Sequence, residues 1–195
     1  MTPMLGIMAS QISGHLVPPY DGPYGAFDSL ATVTVGATAV ASITFAGIPS
    51  GYKHLQIRFI ARDSQTANTI GYTRMTLNGD TTTSYNGHAL YGTGSGAAAA
   101  INWAVGTNMV VGREAGANLL ASTFGANIID LLDYANTNKY KTIRAINGID
   151  ANGSGDVFFQ SGLWLKTDAV TSITLIAHNS SNFVQNSQFA LYGVK

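Results

Sequence analysis

Several residue types that build functional sites are missing from this sequence or nearly so. The chain has no cysteine, which excludes disulfide bonds and thiolate metal ligands. Charged residues make up 10% of its 195 residues, against about 25% in an average globular protein, and the formal net charge is zero. There is no basic patch and no run of Lys or Arg, so we expect neither a nucleic-acid partner nor an electrostatic membrane anchor.

Acid–base and metal-binding residues are also sparse. Glu114 is the only glutamate, and Asp130 and Asp133 would share a face only on a helix. No Gly-x-Ser-x-Gly motif occurs, and the histidines lack metal-binding spacing. Those histidines are His15, His54, His88 and His178. We therefore expect no enzyme, no metal and no cofactor; a zinc site or a Ser-His-Asp hydrolase, assembled from distant parts of the chain, is the alternative.

One segment resembles the start of a calcium-binding loop. Asp150, Asn152, Ser154 and Asp156 place side-chain oxygens at every second position. No glutamate follows near the twelfth position to close such a loop, and a Gly/Asn-rich turn between strands explains the same residues without a metal. The turn is the expectation.

The pattern from Phe27 onward is that of β-strands. Apolar Leu55, Ile57 and Phe59 alternate with Gln56 and Arg58, which predicts a strand with one buried face. Similar segments occupy residues 32–35, 41–45, 72–77, 85–91, 101–105, 109–111, 141–149, 157–165, 172–177 and 189–194. About ten to twelve short strands separated by turns predict an all-β fold, a single β-sandwich or jelly-roll-like domain spanning residues 27–195.

Residues 128–135 fit two structures. Ile128, Leu131, Leu132 and Ala135 keep a helical spacing, whereas residues 124–130 alternate as in a strand. Because the surrounding chain is β, we favour the strand.

Residues 1–26 differ from the rest. Pro18, Pro19 and Pro23 block both a helix and a central strand, so we predict an extended N-terminal arm followed by a Pro/Gly-rich tether. The arm is apolar, and its side chains cannot all remain exposed without causing aggregation, which favours burial on a partner. These candidate partner-binding residues are Met4, Leu5, Ile7, Met8, Ile12, Leu16 and Val17.

Aromatic residues raise a separate possibility. Tyr91 and Trp103 are the first candidates for stacking against a glycan, although core packing and subunit contacts use the same residue types. The wider set of aromatic residues that could form such a platform is Tyr72, Tyr85, Tyr91, Trp103, Tyr134, Tyr140 and Trp164.

Several stretches resemble a group of tailed-phage virion proteins over nearly the full length. They are residues 4–14 (Met-Leu-Gly-Ile-Met-Ala-Ser, then Ser-Gly), 48–57, 129–142 (Ile-Asp-Leu-Leu-Asp-Tyr-Ala-Asn-Thr-Asn-Lys-Tyr-Lys-Thr) and 189–194 (Phe-Ala-Leu-Tyr-Gly-Val).

The resemblance implies a non-enzymatic structural protein of the virion, made in the host cytoplasm and assembled as a homotrimer. The first expectation is a capsid decoration or cement protein whose arm binds the major capsid protein. The alternative is a tail tip or tail fibre component that binds a host surface glycan.

Overall fold

A computed structural model of the chain describes residues 26–96 and 98–195. In these ranges the chain forms twelve β-strands and a 3-10 turn, His178–Ser180, with no α-helix. In chain order the strands are β1 (Phe27–Thr34), β2 (Ser42–Ala46), β3 (His54–Ala61), β4 (Ile70–Leu77), β5 (Tyr85–Gly92), β6 (Ala99–Gly106), β7 (Met109–Ala115), β8 (Gly125–Leu132), β9 (Lys141–Asp150), β10 (Gly155–Trp164), β11 (Ser172–Ile176) and β12 (Gln188–Val194).

The strands form two antiparallel sheets. The large sheet has the order β1-β12-β3-β8-β9-β10-β5-β6, and the small sheet has the order β2-β11-β4-β7. One face of each sheet contributes to a common hydrophobic core, so the predicted all-β sandwich is confirmed.

The core follows from the alternation of side chains along each strand. In β3, Leu55, Ile57 and Phe59 are buried, as predicted. In β11, Ile173 and Leu175 fill the same interior from the small sheet. An apolar side chain at every second position therefore gives each sheet one dry face.

Neighbouring strands in the sequence often belong to different sheets. Strand β1 pairs with β12 in the large sheet, whereas β2 pairs with β11 in the small sheet. The turn at Asn78 and Gly79, where both residues have positive φ, likewise carries the chain from β4 in the small sheet to β5 in the large one. These connections tie the two layers together.

The ambiguous segment forms a strand. Strand β8 pairs with β3 on one side and β9 on the other, and its Ile129 and Leu131 are buried while Ile128 points outward. The helical alternative is wrong because a central strand satisfies its backbone groups by pairing with two neighbours.

A buried lysine organises the connection that follows β8. The ammonium group of Lys141 donates hydrogen bonds to the carbonyl oxygens of Asn136, Lys139 and Thr167 at 2.6, 2.9 and 2.9 Å. Its side chain is fully buried, and this burial lowers the pKa of Lys141. The three carbonyl oxygens replace the water that a buried ammonium group loses, which compensates the cost of burying its charge. They also hold the loop between β8 and β9 in place.

Strand β1 begins at Phe27 on the edge of the large sheet. The predicted arm and its seven candidate partner-binding residues lie outside the described residues.

Candidate functional site

A row of exposed apolar side chains crosses the outer face of the large sheet. Ile128 on β8, Ile146 on β9, Phe159 on β10 and Leu90 on β5 are directly paired from strand to strand. Their exposed fractions are 44, 57, 53 and 52%. We call these four residues the apolar stripe.

The row of residues on one side of the stripe is also apolar. On one side, Ile60 and Val157 are also exposed, and the positions between them on β8 and β9 are the small residues Ala126 and Gly148. Together these positions widen the apolar surface to two rows.

The opposite side of the stripe is polar. Asp130 accepts hydrogen bonds from Gln56 at 2.7 Å and from Arg144 at 2.8 Å. The stripe is therefore an apolar surface with a polar rim, the usual composition of a protein interface.

Shallow depressions lie along the stripe. One of about 290 Å³ lies between Ile128, Ile146 and Phe159, and one of about 270 Å³ lies between Ile60, Ile128 and Ala126. Each could accept side chains from a partner. Because soluble monomers rarely expose contiguous apolar surfaces of this kind, the stripe is the strongest candidate for a protein-binding surface.

A second feature is a pocket of about 430 Å³ between the sheets. It lies where β5 and β6 of the large sheet face β4 and β7 of the small sheet, next to the 3-10 turn. Its lining combines aromatic, amide and basic side chains, notably Tyr72, Arg74, Trp103, Asn179 and His178.

The two aromatic residues singled out in the sequence are separated by the fold. Trp103 lines the inter-sheet pocket, where its ring meets that of Tyr72 edge to face at 6.4 Å. Tyr91 does not line this pocket; it stacks on Phe158 with ring centroids 4.9 Å apart. Tyr72, another of the aromatic residues considered in the sequence, supplies the second aromatic wall.

A pair of carboxyl groups lies buried between the sheets beside this pocket. Glu114 accepts hydrogen bonds from the backbone N–H of His178 at 2.7 Å and from the Thr73 hydroxyl at 3.1 Å. Asp63 accepts hydrogen bonds from the Ser181 hydroxyl at 3.1 Å and the backbone N–H of Gln65 at 3.2 Å.

The two carboxyl groups contact each other, and neither is exposed to solvent. Burial, followed by the charge of Asp63, raises the pKa of Glu114 to about 8. Burial also raises the pKa of Asp63, to about 6, against the opposing effect of its hydrogen bonds. Glu114 therefore keeps its proton at neutral pH, because two buried carboxylates in contact cannot both ionise.

A buried ion pair joins Arg113, the neighbour of Glu114 on β7, to Asp156 on β10. Arg113 forms two hydrogen bonds with the Asp156 carboxylate, and its guanidinium group lies 4.3 Å from the ring centroids of both Tyr72 and Phe158. The aromatic rings and the carboxylate together compensate the cost of burying the guanidinium charge.

These buried groups do not form an accessible catalytic site. Asp63 and Glu114 are fully buried, so neither can contact a substrate in this structure. Their hydrogen bonds end on the backbone and hydroxyl groups that position the 3-10 turn and β4. Their geometry supports a structural role.

The acidic candidates do not converge. Asp130 pairs with Arg144 on the outer face of the large sheet, whereas Asp133 pairs with Lys139 beyond the end of β8. Asp150 accepts a hydrogen bond from the backbone N–H of Asn152 at 2.8 Å, as in an Asx turn. The calcium-like segment is thus a turn whose two end residues point to different partners.

The histidines are dispersed as well. His54 accepts a hydrogen bond from the backbone N–H of Asp133, His88 is exposed on β5, and His178 is buried in the 3-10 turn; His15 lies outside the described residues. In the part of the chain that the structure describes, no three His, Asp or Glu side chains are grouped so as to hold a metal ion.

Comparison with known proteins adds no further assignment. We found no family model, curated protein or solved structure that matches the chain. Among residues 26–96 and 98–195, no helix is long and apolar enough to span a bilayer.

The apolar stripe was not predicted, although the sequence carries a signal for it. Strands β9 and β10 have apolar residues on both faces: Ile146 follows Ala145, and Phe159 follows Phe158. In an antiparallel sheet with one solvated face, a polar residue is expected at every second position. The break in this alternation marks the outward-facing apolar residues.

Proposed function

We propose that this chain is a non-enzymatic structural protein of a tailed-phage virion, and that it acts as a capsid decoration or cement protein. The observation that carries the proposal is the apolar stripe, an exposed apolar surface on the outer face of the large sheet. The resemblance to phage virion proteins over nearly the full chain supports the particle as its location.

The stripe suits contact between copies of the chain. The stripe presents one exposed apolar side chain on each of four neighbouring strands: Leu90, Ile128, Ile146 and Phe159. Removing apolar surface from water stabilises association by about 25 cal/mol per Å². In the proposed assembly the stripe is buried within a homotrimer. Closed symmetric assembly hides the same surface on every copy.

The N-terminal arm would then be available for a different partner. Its apolar residues would bind the major capsid protein, and fifteen extended residues can reach roughly 50 Å, far enough to cross onto a neighbouring subunit. A trimer with three such arms would link adjacent capsomers and resist the internal pressure of the packaged DNA.

The low charge content is typical of a subunit of a larger assembly. Charged residues make up 10% of the chain, and the net charge is zero. Surfaces with little net charge repel one another weakly, which is unfavourable for a free monomer and acceptable for a subunit held in a particle.

The deciding experiment measures the copy number of the protein in purified virions by quantitative mass spectrometry, with the major capsid protein as the internal standard. A copy number comparable with that of the capsid protein is expected for a decoration protein. A copy number of only a few per particle would contradict decoration and favour the alternative, a tail component.

Deleting residues 1–17 tests the role of the arm. The truncated protein is expected to fold and to lose attachment to capsids, measured by co-sedimentation with particles lacking the native protein. A circular dichroism spectrum matching that of the full chain is the control for folding. Attachment retained by the truncated protein would contradict the proposed binding of the arm to the capsid.

A further inference from the structure

The inter-sheet pocket exists because the large sheet extends beyond the small one. Strands β5 and β6 lie at one end of the eight-stranded sheet, whereas β7 is the edge of the four-stranded sheet. Gly87 on β5 lies under the Trp103 ring, where a Cβ would be in ordinary van der Waals contact with the ring at 3.6 Å and close to the Ser161 carbonyl oxygen at 3.0 Å. The pocket is thus formed by the fold itself.

One wall of the pocket is aromatic and rigid. The rings of Trp103 and Tyr72 meet at 80° with centroids 6.4 Å apart. Tyr72 is supported from behind by Arg113 and by Phe158, whose ring centroid lies 6.2 Å away. Packed rings of this kind present apolar surface at little cost in conformational entropy.

The remaining lining is rich in hydrogen-bond donors. Four amide side chains contribute: Asn68, Asn86, Asn108 and Asn179. Arg74 donates a hydrogen bond to the Asn179 side-chain oxygen at 3.2 Å, and it forms no salt bridge with a carboxylate among the described residues. No Asp or Glu lines the pocket, so its only formal charge is positive.

His178 adds a donor at the same wall. Its Nδ1 accepts a hydrogen bond from the backbone N–H of Tyr72 at 3.2 Å, which places the proton of the neutral ring on Nε2. Burial, with Arg74 and Arg113 nearby, lowers the pKa of His178 and keeps the ring neutral. The buried Nε2 has no hydrogen-bond partner in the described part of the chain.

We propose that this pocket binds a saccharide that carries a carboxylate group. The apolar C–H face of a sugar ring would pack on Trp103 and Tyr72, the amides would bind its hydroxyl groups, and Arg74 would pair with the carboxylate. A volume of about 430 Å³ suits one or two sugar rings. The inference does not rest on the proposed function, because the pocket shares no lining residue with the stripe.

The test uses the full chain and a panel of acidic oligosaccharides, which contains trigalacturonic acid and 3′-sialyllactose. Each acidic sugar has a neutral counterpart, its methyl ester, which keeps every sugar ring and removes only the carboxylate charge. Binding is followed by the NMR signals of the two indole N–H groups. Trp103 lines the pocket, whereas the buried Trp164 donates its N–H to Asp80 at 2.7 Å and serves as the internal reference.

We expect at least one acidic sugar to shift the Trp103 signal and leave the Trp164 signal in place. Its affinity should exceed that of its neutral counterpart by about tenfold, the effect of one charge-assisted hydrogen bond. Three results would each overturn the proposal: no binding by any acidic sugar, equal binding of the neutral forms, or equal shifts of both indoles.

Variants locate the site. Arg74→Gln is expected to remove the preference for the acidic form, and Trp103→Ala to abolish binding of both forms. His88→Ala, on the exposed outer face of the same sheet, is the matched control and should bind as the native chain does. The loss of the Trp103 ring could loosen β6 and so weaken binding indirectly. Arg74 is partly exposed, so Arg74→Gln is expected to fold and gives the cleaner test. Unchanged binding in Arg74→Gln would contradict the assigned role.

Discussion

The side-chain amide of Asn127 pairs with the backbone of Arg113 as a neighbouring strand would. Its oxygen accepts a hydrogen bond from the Arg113 N–H at 2.7 Å, and its nitrogen donates to the Arg113 carbonyl at 2.9 Å. Arg113 lies on β7, an edge strand of the small sheet, and Asn127 lies on β8 of the large sheet. A nearby amide, Asn147 on β9, donates to the Val111 carbonyl at 3.0 Å.

We expect Asn127→Ala to destabilise the fold by about 3 kcal/mol, because it leaves a backbone donor and acceptor unpaired in the interior. Chemical denaturation measures the change in the free energy of unfolding. Asn102→Ala, on the exposed face of β6, is the matched control and should change it by less than about 0.5 kcal/mol. Equal effects of the two variants would show that the hydrogen bonds of Asn127 to Arg113 do not stabilise the fold.

The buried carboxyl pair predicts a stability that falls as pH rises. Unfolded Glu114 loses its proton near its ordinary pKa of 4.5, whereas the folded chain keeps it up to a pKa of about 8. The folded state thus holds more protons in this window, so the free energy of unfolding should decrease from about pH 4.5 and level off above about pH 8. Asp63 adds to the lower part of the window, since its pKa is raised to about 6.

Urea denaturation at a series of pH values checks this dependence. Glu114→Gln should flatten the curve between pH 5 and pH 8 and raise stability at the alkaline end, because Gln has no proton to lose. Asp150→Asn, in an exposed turn, controls for the loss of one carboxyl group. A slope equally steep in the Glu114 variant would exclude the carboxyl pair as its cause.

Gly125 on β8 packs directly against the backbone of β7 in the other sheet. A Cβ at this position would overlap the carbonyl oxygen of Arg113, a backbone atom that cannot move aside. Gly125→Ala should therefore cost about 1–3 kcal/mol of unfolding free energy. Gly51→Ala places the same methyl group in open space, and we expect it to change the melting temperature little. A Gly125 variant as stable as the Gly51 variant would mean that β7 and β8 can separate freely.

The apolar stripe predicts self-association. Ile146→Asp places a charge in the middle of the stripe and should reduce the fraction of oligomer at a given concentration at least tenfold, measured by sedimentation velocity. Thr142→Asp adds the same charge on the same face of β9 at an exposed position outside the stripe, and it should leave assembly unchanged. A native chain that is monomeric at high concentration would contradict burial of the stripe between copies.

Much of the fold could be predicted from the sequence. The alternation of Leu55, Ile57 and Phe59 with polar residues predicts strand β3, and its buried face is the predicted one. Strand β8 is harder to predict, because residues 128–132 fit both the helical and the strand period. Only pairing with the flanking strands decides between the two.

The candidate site was predicted less completely. Trp103 and Tyr72 are both candidates from the sequence, but their contact across the two sheets is not predictable from it. Likewise Asp63, Glu114 and His178 come from three distant segments that meet only after both sheets have formed. Contacts of this kind leave no spacing in a single sequence, because the distance along the chain between the partners is arbitrary.

The sequence by itself therefore determined the class of fold and the position of most strands, because the two-residue period of a β-strand is a local property of the chain. The tertiary structure alone decided which strands share a sheet, and hence that Leu90, Ile128, Ile146 and Phe159 form one stripe. It also decided that Tyr72, Trp103 and Arg74 line one pocket. Strand order and inter-sheet contact arise from long-range pairing, in which many alternatives satisfy the same local pattern and only the packed whole selects one.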